Sequence, residues 1–141
     1  MSSVPTVQAE LLALLQAQRD PGEPFEKALV RFGPPLKLPR ERERVYVIDA
    51  TGYRRGGGEQ YRLESFGLRV VVEVYRGGGD PTGAVARKWA LIEAIDATLM
   101  TNNFHGYESD GGTFSEEPQL VAYDKGYLAY SMLTITNEDR I

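Results

Sequence analysis

Residues 61–81 read YRLESFGLRVVVEVYRGGGDP, and the chain continues as TGAVARKWALIEAIDATL to Leu99. Phe66, Leu68, Val70, Val72 and Val74 take every second position, with Gly67, Arg69, Val71, Glu73 and Tyr75 between them. Successive side chains on a strand point to opposite faces, so this spacing predicts a strand over residues 61–75 with one apolar face. A slip of one residue would expose that whole face, which specifies the register. Burying it contributes roughly 1.5–3 kcal/mol per side chain before conformational entropy is subtracted. Gly77, Gly78 and Gly79 then break the strand. Asp80 can cap the free amides of a first helical turn, and Pro81 suits the first helical position, where no donor is needed. Val85, Trp89, Ile92, Ile95 and Leu99 recur at helical spacing, with Arg87, Lys88, Glu93 and Asp96 largely off that stripe. This predicts a long helix that stops near Thr101, Asn102 and Asn103. A strand and a helix with matching apolar faces, joined by a short glycine turn, pack on one another.

Towards the N-terminus, Val45, Tyr46, Val47 and Ile48 form a second strand, rich in β-branched and aromatic residues. Arg40, Glu41, Arg42, Glu43 and Arg44 lead into it. On extended backbone Arg40, Arg42 and Arg44 share one face and Glu41 and Glu43 the other. The simplest reading is a solvated surface, and the next an ion-pairing edge between subunits. Residues 51–60 hold Gly52, Arg54, Arg55 and the run Gly56, Gly57, Gly58, which predicts a flexible loop joining two antiparallel strands. Residues 25–32 are compatible with a strand. Pro34, Pro35 and Pro39 remove three backbone donors and confine their own stretch to an edge or a loop. Residues 6–19 read as a short amphipathic helix with Leu11, Leu12, Leu14 and Leu15 on one side. Asp20, Pro21 and Gly22 end it.

Beyond the long helix, residues 104–118 are rich in glycine, serine and acids and predict a long surface loop. Residues 119–123 and 127–136 then form a hairpin across Asp124, Lys125 and Gly126. Tyr123, Tyr127 and Tyr130 fall in it, and aromatic rings with a polar tip suit interfaces as well as ordinary sheets. Residues 1–141 thus read as one α+β domain, a mostly antiparallel β-sheet packed against a long central helix and a short N-terminal helix.

Composition narrows the chemistry. The 141 residues include no cysteine, which removes disulfides, thiolate metal sites and a cysteine nucleophile. The formal net charge is −4, against the basic footprint of a nucleic-acid binder. No stretch approaches the roughly 20 apolar residues of a membrane span, and Met1 to Pro5 open no signal peptide, so no membrane partner is expected. Gly77 to Gly79 lie between a strand and a helix, where anions bind, yet Asp80 and Pro81 put a carboxylate there and remove an amide. His105, the single histidine, shares a glycine-rich stretch with Glu108, Ser109 and Asp110, too loosely held for a catalytic relay or a metal. Glu116 and Glu117 are adjacent, so on a strand they face opposite ways and cannot share a proton. No cofactor, metal or catalytic role is therefore expected.

The N-terminal Leu-rich helix, the stretch ERVYVIDA from Glu43, the central strand running through GGGDP into AVARKWALIEAIDATL, and a hairpin closing on LTITNEDRI resemble the tail terminator (tail completion) proteins of long-tailed bacteriophages, particularly siphophages of actinobacteria. The resemblance is one of element order and hydrophobic positions along nearly the whole chain. It implies a homohexameric ring that caps the tail tube, stops its polymerisation and receives the neck proteins of the filled head. DNA would pass through the lumen unread, and the protein would reside in the virion after assembly in the host cytoplasm. On that reading the candidate contact residues are Arg54, Arg55, Gly56, Gly57 and Gly58 on a tube-contacting arm, Arg40, Arg42 and Arg44, and Tyr123, Tyr127 and Tyr130. The rival readings are another neck component, such as a head-completion or adaptor protein, a small enzyme with a site around His105 and Asp110, and a small-molecule binding module.

Overall fold

The computed structural model describes residues 4–33, 43–56, 63–107, 113–123 and 125–140. The elements run α1 (Val4–Ala17), β1 (Leu29–Phe32), β2 (Glu43–Gly56), β3 (Leu63–Gly77), α2 (Pro81–Thr101), a single 3-10 turn (Phe104–Gly106), β4 (Thr113–Tyr123) and β5 (Gly126–Arg140). They build an α+β fold around a five-stranded sheet of order β1-β2-β3-β5-β4. β1 pairs parallel to β2 and every other pair is antiparallel, so the sheet is mixed.

The alternation on β3 organises the core. Phe66, Leu68, Val70, Val72 and Val74 are all buried, joined by Val45 and Val47 of β2 and Ala129, Leu133 and Ile135 of β5. Both helices bury their apolar sides on this one face. On α1 the buried positions Val7, Leu11 and Leu15 follow a four-residue period, while Leu12 and Leu14 are only partly covered. Gln8, also buried, donates to Asp49 Oδ1 at 3.0 Å and ties the helix to β2.

α2 begins as its cap dictates: Asp80 is extended and accepts from the Thr82 amide at 2.9 Å, with Pro81 at the first position. Its buried side differs from the expected stripe. Ile92, Ile95 and Leu99 face the sheet as expected, but Ala84, Lys88, Leu91 and Thr98 share that side, while Val85 is half-buried and Trp89 is exposed. In the first turns the small Ala84 is fully buried. The long stem of Lys88 covers apolar surface there, with its ammonium 4.8 Å from the Trp89 ring centre.

Three expected boundaries change. The region 25–32 is strand only at Leu29–Phe32; Phe25 instead sits in a turn, fully buried, its amide bonded to Gln18 O at 2.8 Å. The expected loop at 51–60 is strand as far as Gly56, paired to β3 through Thr51↔Gly67, Arg54↔Ser65, Arg55↔Glu64 and Gly56↔Leu63. The expected loop at 104–118 holds the packed 3-10 turn, with Phe104 and Tyr107 buried, and β4 already under way at Thr113. Period alone could not mark these, because each segment is held by long-range contacts. The hairpin of β4 and β5 forms as expected, with Lys125 in the left-handed region at φ 62.

Candidate assembly interface

With both helices on one face of the sheet, the other face carries the remaining side chains of each strand. Register places Tyr75, Leu128 and Val121 in one row across it, Arg44, Glu73, Tyr130 and Gln119 in the next, and Tyr46, Val71, Met132 and Glu117 in a third. On it Arg44, Tyr46 and Val71 are buried, Tyr75, Leu128, Tyr130 and Met132 are half-buried, and Glu117, Gln119 and Val121 are exposed. A solvated sheet face ordinarily alternates to polar residues, and this one is largely aromatic and aliphatic.

Two of its charges pair with each other. Arg44, only 5% exposed, is ion-paired with Glu73, and the Tyr46 hydroxyl donates to Glu73 Oε1 at 2.8 Å. Burial, then the hydrogen bond and charge of Glu73, push the Tyr46 hydroxyl well above its ordinary value, so it stays protonated. Arg44 is thus neither a solvated charge nor free to pair across a subunit edge. Arg40 and Arg42, its expected companions, lie outside the described residues.

At one margin of this face β4 forms a sheet edge. Residues 117–123 are all exposed, with Leu120 at 46%, and the Tyr123 ring meets Tyr75 edge-on at 6.1 Å. An edge strand offers unpaired amides and carbonyls to another chain, and Pro118 is the one backbone position on it that cannot donate. Of the tyrosines picked out in the hairpin, Tyr123 and Tyr130 belong to the outer face. Tyr127, in register with Arg76 and Ala122, falls on the helix side.

The other end of the same strands forms an arm. β2 residues 51–56, β3 residues 63–67 and β5 residues 136–140 continue as a three-stranded ribbon. Two register shifts, between Ile48 and Thr51 and between Thr51 and Arg54, each insert one extra residue on β2 and bend it. Tyr53 and Arg54 are exposed on this arm. Arg55 and Gly56 are in its paired backbone, and Gly57 and Gly58 lie outside the described residues. Arg54 pairs with Ser65, while Tyr130 pairs with Glu73 and Tyr123 lies at the Gly77 level, eight to twelve strand residues or about 27–40 Å away, so the structure does not bring these two groups together.

A third feature had no local signal in the sequence. Glu43, at 6% exposure, accepts from Arg76 Nη2 at 3.1 Å and from Arg87 Nε at 3.0 Å and Nη2 at 2.9 Å; Arg87 also donates to Pro24 O at 3.1 Å. This clamp joins β2, β3, α2 and the turn after α1 at the floor of a cleft of about 640 Å³, rimmed by Glu23, Glu26 and Lys27. Burial alone would raise the Glu43 carboxyl, but the hydrogen bonds and charges of Arg87 and Arg76 outweigh it and hold it below its ordinary value. The partners stand 33 and 44 positions from Glu43, beyond the reach of any spacing rule.

His105 is bonded to Glu10 of α1 at 2.5 Å, and it and Asn103 adopt left-handed backbone at φ 45 and 42. The Tyr107 hydroxyl donates to Asp96 on α2. These contacts fasten the 3-10 turn to both helices. Glu108, Ser109 and Asp110 lie outside the described residues, and no cluster of three metal-ligating side chains occurs among those described. No described helix is long and apolar enough to cross a membrane. No protein-family model matches the chain, and no curated protein matches it in sequence.

Proposed function

We propose that the chain is a phage tail terminator, a subunit that assembles with further copies of itself, six on the family resemblance, into a ring capping the tail tube. The ring stops tube polymerisation and offers its opposite surface to the head and neck proteins. DNA passes its lumen without sequence readout, in keeping with the acidic net charge of −4. Residence in the tail-neck region of the virion, after assembly in the host cytoplasm, belongs to the same reading.

The observation that carries it is the placement of two dissimilar exposed surfaces at opposite ends of one rigid sheet: the bent arm with Tyr53 and Arg54, and the tyrosine end with its apolar edge. A part that joins two different assemblies needs two such surfaces held at a fixed separation. Arm residues on paired strands cost less entropy to dock than a loose loop would. Replacing both Arg54 and Arg55 by glutamate tests the arm. The account expects a folded protein that no longer caps tails; tails of normal length that join heads would refute this role for the arm.

A further inference from the structure

β4 is paired along one side only and is open to solvent on both faces. Residues 117–123 are exposed one after another, those turned to the helix side (Pro118, Leu120 and Ala122) as well as those on the outer side. Leu120, Val121 and Tyr123 are among the large apolar side chains left in solvent. Strands that border only water are ordinarily blunted by charges, prolines or bulges, and between Pro118 and Tyr123 this one carries neither charge nor bulge.

The ladder shows which backbone groups are open. The Gly78 amide donates to Lys125 O at 3.1 Å, which puts Lys125, and with it every second residue along β5 from Tyr127, on the bonds toward β3. Gly126, Leu128 and Tyr130 therefore bond toward β4, where their partners are Tyr123, Val121 and Gln119. Pro118, Leu120 and Ala122 are left with their backbone groups directed away from the sheet: the amides of Leu120 and Ala122, and all three carbonyls. Pro118 fits this phase, since a proline at a position bonded to β5 would break the ladder. The opposite margin of the sheet is closed. There Val30 of β1 is buried, and its carbonyl accepts from Gln16 Nε2 of α1 at 3.4 Å.

We infer that the open edge of β4 receives an extended segment of a different protein, added antiparallel as a further strand of the sheet. The inference deepens the proposed joining role and rests on it for placing that partner on the head side. A row of unpaired amides and carbonyls recognises another extended backbone, and an antiparallel ladder is the more stable way to fill it. Copies of this chain do not supply the strand within a ring. The β1 edge is closed, and β4 against β4 is a two-fold contact that ends at a dimer. Side chains define the guest. Glu117 stands at one end of the window and Lys125 beyond the other, both exposed, with Leu120, Val121 and Ala122 between. A strand antiparallel to β4 matches them with a base near its C-terminal end, an acid near its N-terminal end and apolar residues between.

Amide exchange followed by NMR tests this on the intact chain. In the dilute free protein the amides of Leu120 and Ala122 should exchange about tenfold faster than those of Gln119, Val121 and Tyr123. The probe is a short synthetic peptide alternating threonine and valine, with glutamate at its N-terminal end and arginine at its C-terminal end. At millimolar concentration it should shift the Leu120 and Ala122 signals and slow their exchange. Leu120→Pro removes an amide that makes no bond within the sheet, so it should keep the parent circular dichroism and lose the response to the peptide. Val121→Pro should instead unravel the hairpin. Glu117→Lys should weaken peptide binding about threefold. Slow exchange at Leu120 and Ala122 in the dilute protein overturns the inference, as does an absent response to the peptide. A dimer of the chain alone that Leu120→Pro dissolves also overturns it, because β4 then pairs with itself. None of these results touches the ring reading, which fails instead if the parent protein leaves tubes uncapped.

Discussion

Replacing Glu43 by glutamine would remove the charge at the centre of the clamp while keeping the shape of the side chain. Three hydrogen bonds reach this carboxylate, and each loses its ionic component. The amide nitrogen of glutamine also faces guanidinium donors, so at least one of the three bonds is lost outright. Hydrogen bonds to charged groups contribute about 1.5–3 kcal/mol each, and breaking a buried ion pair costs about 3–5 kcal/mol. The Arg76 and Arg87 side chains are 30% and 33% exposed, so water recovers part of their solvation. We expect a loss of about 2–4 kcal/mol, or about 6–15 °C in melting temperature for a domain of this size. Urea titrations at neutral and acid pH supply the assay. The folded carboxyl lies below its ordinary value of 4.5, so its contribution is complete above that value and disappears as pH falls through the folded pKa. The gap between parent and variant should therefore be full at neutral pH and close on acidification. A neutral-pH gap below about 0.5 kcal/mol, within the range of an ordinary surface change, would refute the energetic role given to the clamp.

Gly126 should not tolerate alanine: its Cβ would stand 2.3 Å from Arg76 O and 2.8 Å from Gly77 Cα, both backbone atoms that move only by opening the β3–β5 ladder. Thermal unfolding should show a loss of about 2–4 kcal/mol, combining overpacking with a weakened ladder bond. Gly83→Ala, in the first turns of α2 with nothing within 4 Å of its Cβ, should instead stabilise by about 0.5–1 kcal/mol in the same measurement. Tyr46→Phe removes the 2.8 Å bond to Glu73 but leaves the Arg44 ion pair, so denaturant titration should register a cost of about 1–2 kcal/mol.

Much of the fold was legible from local pattern because local pattern causes it. The five apolar positions from Phe66 to Val74 face the core as a period of two requires, and Asp80 and Pro81 open α2 where their chemistry fits. Legibility failed where tertiary contact overrode period. Trp89 lies at helical spacing from Ile92 yet faces outward, while Lys88 beside it takes a buried position. Gly52 and Arg54 look like loop residues, but pairing to β3, with two bulges absorbing the extra length, draws them into a strand. The parallel pairing of β1 with β2 has no signature in four residues of sequence. For the candidate interface, Tyr123 and Tyr130 could be singled out by residue type. The surface they belong to became visible only when register aligned them with Tyr75, Val71 and Leu128. The Glu43 clamp was hidden altogether, since each of its residues is an ordinary charge until the chain folds.

Electron micrographs of tail tubes polymerising with and without the purified protein bear most directly on whether it contributes a shaped, adhesive ring. The account predicts tubes that stop growing and carry an annular density at one end. Tubes that lengthen unchecked, with bare ends at saturating protein, would contradict it.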